Sequence, residues 1–107
     1  MLEFFTKKEM DAQAAKDFWT WFTEKEEWII SNIKTNGMDV VWAVDAQLKP
    51  VFPYFKKELE FQMGFNDGKG EFFFFHLGSK NLMRDAVLFR DMMPQDLQTR
   101  WKLLIEK

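Results

Sequence analysis

Cysteine is absent from the sequence, which excludes disulfide bonds and cysteine-ligated metal sites. A cysteine-free chain fits a reducing compartment. The sequence also lacks an apolar run of the roughly 20 residues that span a bilayer, and its first residues do not follow the pattern of a signal peptide. We therefore expect a cytoplasmic protein that does not bind a membrane.

Neither sign of charge is in large excess. Lys and Arg number 15, Asp and Glu number 17, and the formal net charge is −2. Proteins that bind nucleic acid usually carry a basic patch, so this balance argues against a nucleic-acid partner. The 5 glycines form no phosphate-binding loop pattern. We expect no cofactor and no bound metal.

Aromatic residues, in contrast, are abundant. The 107 residues include 13 Phe and 5 Trp, and a chain of this length predicts a single domain spanning residues 1–107. Each such side chain buries roughly 150 to 250 Å². Because a small domain leaves a large fraction of its surface in water, hiding all of these aromatic side chains in one core is difficult.

A β-hairpin is predicted between residues 58 and 77. Apolar and polar residues alternate in its first half, and an unbroken apolar run with four consecutive phenylalanines fills its second half. Asp67-Gly68 lies between the halves and favours a type I′ turn, which needs positive φ at both central residues. This turn pairs Met63 with Phe72, Phe61 with Phe74 and Leu59 with His76 on one face, and Gln62 with Phe73, Glu60 with Phe75 and Glu58 with Leu77 on the other.

Two helices are predicted before the hairpin. The first begins at a capping box formed by Thr6 and Glu9, or near Ala12, and Asn36-Gly37 is its predicted stop. Residues 40–48 form a second helix, with Asp39 as its N-cap. The same residues also alternate like a strand, so a fourth strand is the alternative.

The chain after the hairpin predicts one more helix and one more strand. Ser79 or Asn81 caps the helix, which ends at Met93-Pro94. Alternation from Trp101 onwards predicts the final strand.

These elements predict an α+β fold: a long N-terminal helix, a second helix, a β-hairpin, a helix and a C-terminal strand. The sheet has three strands, or four if residues 40–48 are a strand. The continuous apolar run indicates a second strand that is buried on both faces and central, which favours the order 1-2-3 in a mixed sheet. The order 2-1-3, all antiparallel, is the alternative. Helices are expected on the face of Leu59, Phe61 and Met63.

The opposite face of the sheet is the predicted binding surface. An apolar centre with a charged rim is typical of an interaction surface. The predicted interface residues are Phe73, Phe75, Leu77, Glu58, Glu60, Gln62, Lys102 and Leu104. The simplest way to bury this face is a symmetric homodimer, because two-fold contacts are the commonest in soluble oligomers. The alternative is that the first helix folds over this face.

His76 is the only histidine, and the predicted hairpin register places it on the core face. A slip of one residue would instead bring it to Glu58 and Glu60 beside Lys102. Such a cluster could bind a metal or a small ligand, or act as the acid-base group of a hydrolase. This small-ligand site at His76 is the alternative to the protein-interaction hypothesis.

Four segments carry a resemblance to known proteins: residues 17–22, 58–64, 70–75 and 93–101. In these segments the sequence resembles small bacterial α+β proteins of uncharacterised function that begin with a Phe-Trp-x-Trp-Phe helix. The likeness covers most of the chain, but its motifs are aromatic and structural, so it implies a fold and no activity. The sequence therefore favours a non-enzymatic protein that binds itself or another protein.

Overall fold

The computed structural model of the protein describes residues 8–107, which form a layer of helices packed on one three-stranded sheet. The elements are α1 (Ala12–Asn32), α2 (Gly37–Leu48), β1 (Glu60–Asn66), β2 (Lys69–Phe75), α3 (Lys80–Asp91) and β3 (Trp101–Glu106). Short 3₁₀ turns occupy Lys49–Val51 and Leu97–Thr99. The predicted α+β fold and its element order are confirmed.

Helix α1 begins at the second of its two predicted starts. Asp11 is its N-cap, and the Asp11 carboxylate accepts a hydrogen bond of 3.0 Å from the backbone N–H of Ala14. Thr6 of the predicted capping box lies outside the described residues, and Glu9 precedes the helix.

The predicted boundary between the first two helices is wrong. Helix α1 ends at Asn32, while Asn36 is the N-cap of α2 and Gly37 is its first residue. Gly37 does not have the positive φ of a glycine that ends a helix, so it does not act as a stop. Asp39 lies in the first turn of α2 and is not its cap.

Residues 40–48 are helical, as predicted. Val40, Val44 and Leu48 recur every four residues and are fully buried, so the longer helical stripe outweighs the strand-like alternation. The sheet of the described residues has three strands, so the alternative of a fourth strand is wrong.

The hairpin turn has its predicted geometry. Asp67 and Gly68 have φ values of 53° and 75°, and the strands pair as Met63–Phe72, Phe61–Phe74, Gln62–Phe73 and Glu60–Phe75. The ladder ends at Glu60–Phe75, so the predicted pairs Leu59–His76 and Glu58–Leu77 are wrong. Leu77 and Gly78, with φ values of 56° and 80°, turn the chain away from the sheet at this point.

Strand β2 is the central strand. It pairs antiparallel with β1 and parallel with β3, so the order 1-2-3 is confirmed and the antiparallel order 2-1-3 is wrong. Helix α3 makes the crossover that joins β2 to the parallel strand β3. The expectation that β2 is buried on both faces is wrong, because Phe73 and Phe75 stay partly exposed while Phe72 and Phe74 are fully buried.

The core lies between the helices and the face of Phe72 and Phe74. Phe18 of α1 packs on Phe72 with ring centroids 6.4 Å apart, and Phe22 of α1 meets Trp101 edge to face at 5.0 Å. Helix α1 therefore covers the face of Phe61 and Met63, and the alternative that it covers the other face is wrong.

Candidate functional site

The side of the sheet that faces away from the helices, here called the open face, is built by the outward side chains of all three strands. Strand pairing places them in rows that cross the sheet. The middle row is Gln62, Phe73 and Leu104. One row further along β2 are Glu60, Phe75 and Glu106, and one row before it are Gly64, Glu71 and Lys102.

Three apolar side chains form the centre of the open face. Phe73, Phe75 and Leu104 are partly buried, and none of them packs against the core cluster that unites the helices with the other face. A contiguous apolar patch with a polar rim is the usual anatomy of a protein-binding surface.

The rim of the open face carries opposite charges at its two ends. Glu60 and Glu106 flank Phe75 at one end, and Lys102 lies beside Glu71 towards the other. Among the residues that the structure describes, Glu60, Glu106 and Lys102 take part in no salt bridge. Their charges are therefore free to meet those of a partner.

Six of the eight predicted interface residues lie on the open face. Leu77 does not, because it follows the end of β2 in the turn, where it is 48% exposed. Glu58 precedes β1 and lies 3.9 Å from the ammonium of Lys49.

The sequence reasoning missed the positions of Glu71 and Glu106 on the open face. Glu71 follows from the predicted hairpin register, so that signal was present. The place of Glu106 beside Phe75 depends on the parallel pairing of β2 with β3, which no local pattern encodes.

The hydrogen bonds of His76 lie at the end of the sheet and in the turn that follows it. Its backbone N–H donates to the carbonyl of Glu106 at 2.9 Å, and its Nδ1 accepts a 3.1 Å hydrogen bond from the N–H of Gly78. The hairpin register is not slipped, so His76 does not join Glu58 and Glu60 beside Lys102. No group of three or more His, Asp or Glu side chains within residues 8–107 could hold a metal ion.

A second apolar surface lies on α2. Met38, Val41 and Trp42 are 62%, 36% and 66% exposed, and a shallow groove runs from Val41 and Trp42 to Leu59 and Phe61. This surface was not predicted, although Met38, Val41 and Trp42 recur at helical spacing. The groove also includes Glu60, so this surface adjoins the open face at the edge of β1.

The interior of the described region offers no unused polar group. Every buried side-chain nitrogen and oxygen in that region has a hydrogen-bond partner. The one buried charged side chain there, Asp85, accepts hydrogen bonds from Tyr54 at 2.6 Å and from Arg84 at 2.8 Å. These groups satisfy one another and stabilise the fold.

The fold and the open face together define a two-layer α+β protein, in which the helices of residues 8–107 cover one face of the sheet and leave the aromatic face of Phe73 and Phe75 on the other side. No helix between residues 8 and 107 has the length and apolar character needed to cross a membrane. Comparison with protein-family models, curated proteins and solved structures finds no match to this chain. The likeness to bacterial proteins with a Phe-Trp-x-Trp-Phe helix therefore stays a prediction.

Proposed function

We propose that this protein is a protein-interaction module that associates with a second copy of itself through the open face. One observation carries the proposal: Phe73, Phe75 and Leu104 form an apolar centre that is partly exposed and does not pack against the core cluster of residues 8–107. A cysteine-free chain fits association in the reducing cytoplasm.

Burial of this centre supplies the driving force for association. Removing apolar surface from water contributes roughly 25 cal/mol per Å². Aromatic side chains are enriched at the centres of protein interfaces, and charged residues belong at their rims. Phe73 and Phe75 lie at the centre of the open face, and Glu60, Glu106 and Lys102 lie at its edges.

The size of the open face predicts a weak dimer. Its strands have 7, 7 and 6 residues. With strands about 4.8 Å apart and a rise of about 3.3 Å per residue, the flat area is roughly 300 Å². A standard interface uses about 800 Å² of each partner. We therefore expect association that depends on concentration in the micromolar range or above.

The test is sedimentation equilibrium from about 5 µM to about 1 mM, a range that covers weak dimers. The wild type is compared with the double variant Phe73→Ser, Phe75→Ser. We expect this variant to be a folded monomer, because neither phenylalanine belongs to the core cluster. Thermal unfolding followed by circular dichroism checks the fold of each protein.

Leu88→Ser is the matched control, because it removes a large apolar side chain that is 49% exposed on α3, in the layer of helices. It should associate like the wild type. A wild type that stays monomeric across the whole range would contradict the proposal. So would a double variant that unfolds, since the two phenylalanines would then belong to the core.

A further inference from the structure

We infer that the second copy stacks on the open face with its strands antiparallel to those of the first, so that Glu106 of each copy faces Lys102 of the other. This inference rests on the proposed self-association and adds the orientation and the polar contacts of the dimer. It follows from the arrangement of charges on the three rows of the open face to which all three strands contribute.

The charges are asymmetric along the strands. The row of Phe75 has a glutamate on each side, Glu60 and Glu106. The row of Glu71 has Lys102 on one side and Gly64 on the other. The middle row, with Phe73, is uncharged. One end of the open face is therefore acidic. Its lysines lie towards the other end: Lys102 beside Glu71, and Lys69 one row further towards that end of β2, opposite Asn66.

Consider a two-fold axis that lies between the two sheets, runs perpendicular to the strands and follows the row of Phe73. Rotation about this axis brings the acidic row of one copy over the row of Lys102 of the other. Each strand then lies over the same strand of the other copy, and the two outer rows exchange places. Phe73 packs on Phe73 of the second copy, and Glu106 faces Lys102 twice. Stacked sheets are about 10 Å apart, a gap that the long Glu and Lys side chains bridge at the rim.

In the antiparallel stack Phe75 lies over Glu71 of the second copy, because both residues belong to β2. Glu60 lies over Gly64 of the second copy, which has no side chain to meet it.

The other two-fold stack, with parallel strands, opposes like charges. An axis along β2 places β1 over β3 of the second copy. Glu60 then faces Glu106 of the second copy twice, and Glu71 faces itself. Like charges that lie opposite each other repel, and this repulsion disfavours the parallel stack. The charge pattern therefore selects the antiparallel stack.

Charge reversal tests this orientation. Sedimentation equilibrium is measured for Glu106→Lys, for Lys102→Glu, for the double variant with both changes, and for an equimolar mixture of the two single variants. Each single reversal replaces two attractive contacts by two repulsive ones, and we expect the dissociation constant to rise about tenfold. The double variant restores both contacts within one homodimer, and the mixture restores them in a heterodimer.

Glu60→Lys is the matched control. Glu60 shares a row with Glu106 but faces the side-chain-free Gly64 of the second copy in the antiparallel stack, so the dissociation constant should change less than twofold. In the parallel stack, Glu60→Lys and Glu106→Lys would both strengthen the dimer. Circular dichroism melting accompanies each variant, because Lys102→Glu places a second carboxylate beside Glu71.

The outcomes separate the orientation from the proposed function. The antiparallel stack is supported if each single reversal raises the dissociation constant and if the double variant and the mixture restore it to the wild-type value. Single reversals without effect, or a double variant that does not recover, overturn it. If the Phe73→Ser, Phe75→Ser variant is still monomeric in that case, self-association through the open face stands and only the orientation falls. A wild type without any dimer overturns both.

Discussion

The indole ring of Trp101 lies over Gly70, its partner on the neighbouring parallel strand. A Cβ atom on Gly70 would come within 2.6 Å of Cζ3 of Trp101. The ring cannot move aside easily, because its Nε1 donates a 3.0 Å hydrogen bond to Glu26 and its edge-to-face contact with Phe22 has a centroid distance of 5.0 Å. Gly70 is required here by the close approach of the indole.

Gly70→Ala should therefore destabilise the fold. We expect a loss of about 2 to 3 kcal/mol in the free energy of unfolding, because the new methyl group overpacks a tight contact. Urea unfolding followed by tryptophan fluorescence measures it. Gly64→Ala on β1 is the control, since its Cβ meets nothing within 4 Å, and it should change stability by less than about 0.5 kcal/mol. Equal stability of the two variants would contradict the role of the Trp101 contact.

Glu26 joins α1 to the start of β3. It accepts hydrogen bonds from Nε and an Nη atom of Arg100 at 2.7 and 2.9 Å, and from the Trp101 indole at 3.0 Å. The Arg100 hydrogen bonds hold the pKa of Glu26 below its usual value, against the opposing effect of partial burial. The ionised carboxylate therefore stabilises the folded state.

Glu26→Gln should cost about 1.5 to 3 kcal/mol at neutral pH, because hydrogen bonds between charged groups are lost. A lowered folded-state pKa contributes stability that is present above about pH 4.3, the unfolded value, and is lost as the pH falls through the folded-state pKa. The stability difference between wild type and variant should therefore shrink in acid. Urea unfolding at several pH values measures it, with Glu27→Gln, an exposed neighbour on α1, as the control. A difference that is constant with pH would contradict this account.

Tyr54 is the only tyrosine, so its ionisation can be followed without interference from other phenols. Burial and the hydrogen bond that its hydroxyl donates to Asp85 raise its pKa well above the usual value. The folded protein should show no phenolate absorbance at pH 10, where an ordinary tyrosine is half ionised. Spectrophotometric titration measures this, and a free tyrosine derivative is the reference.

The raised pKa of Tyr54 also predicts a stability profile at alkaline pH. A raised folded-state pKa contributes stability that is fully present below about pH 10, and this contribution declines as the pH rises towards the folded-state pKa. Tyr54→Phe should lose about 1 to 2 kcal/mol at neutral pH, because Asp85 loses a buried partner. A Tyr54 that ionises near pH 10 in the folded protein would contradict the buried hydrogen bond.

The caps of α2 and α3 provide a matched comparison. Ser79 caps α3 and accepts a 3.2 Å hydrogen bond from the N–H of Leu82, whereas the Asn36 side chain at the same position on α2 accepts no capping hydrogen bond and donates to Asn32 at 2.9 Å. Ser79→Ala should cost about 1 kcal/mol, and Asn36→Ala should cost clearly less. Thermal unfolding measures both changes. An equal loss for the two variants would show that the Ser79 hydrogen bond is not the cause.

Local patterns in the sequence determined most of the elements. The Asp67-Gly68 turn and the alternation around it predicted the hairpin and four of its pairs, because turn geometry and side-chain period are properties of neighbouring residues. The capping residue Ser79 predicted the start of α3 for the same reason. The failure at Gly37 has the same basis, since a glycine that ends one helix and one that begins another look alike in a sequence.

Contacts between distant residues were decided only by the tertiary structure. Glu26 and Arg100 are 74 positions apart, and no periodicity links them. The open face could be proposed from the sequence, but its exposure depends on the helices packing on the side of Phe72 and Phe74. The parallel pairing of β2 with β3 likewise set Glu106 beside Phe75. Such arrangements depend on how whole elements pack, whereas turns and amphipathic stripes depend only on residues that are close in the chain.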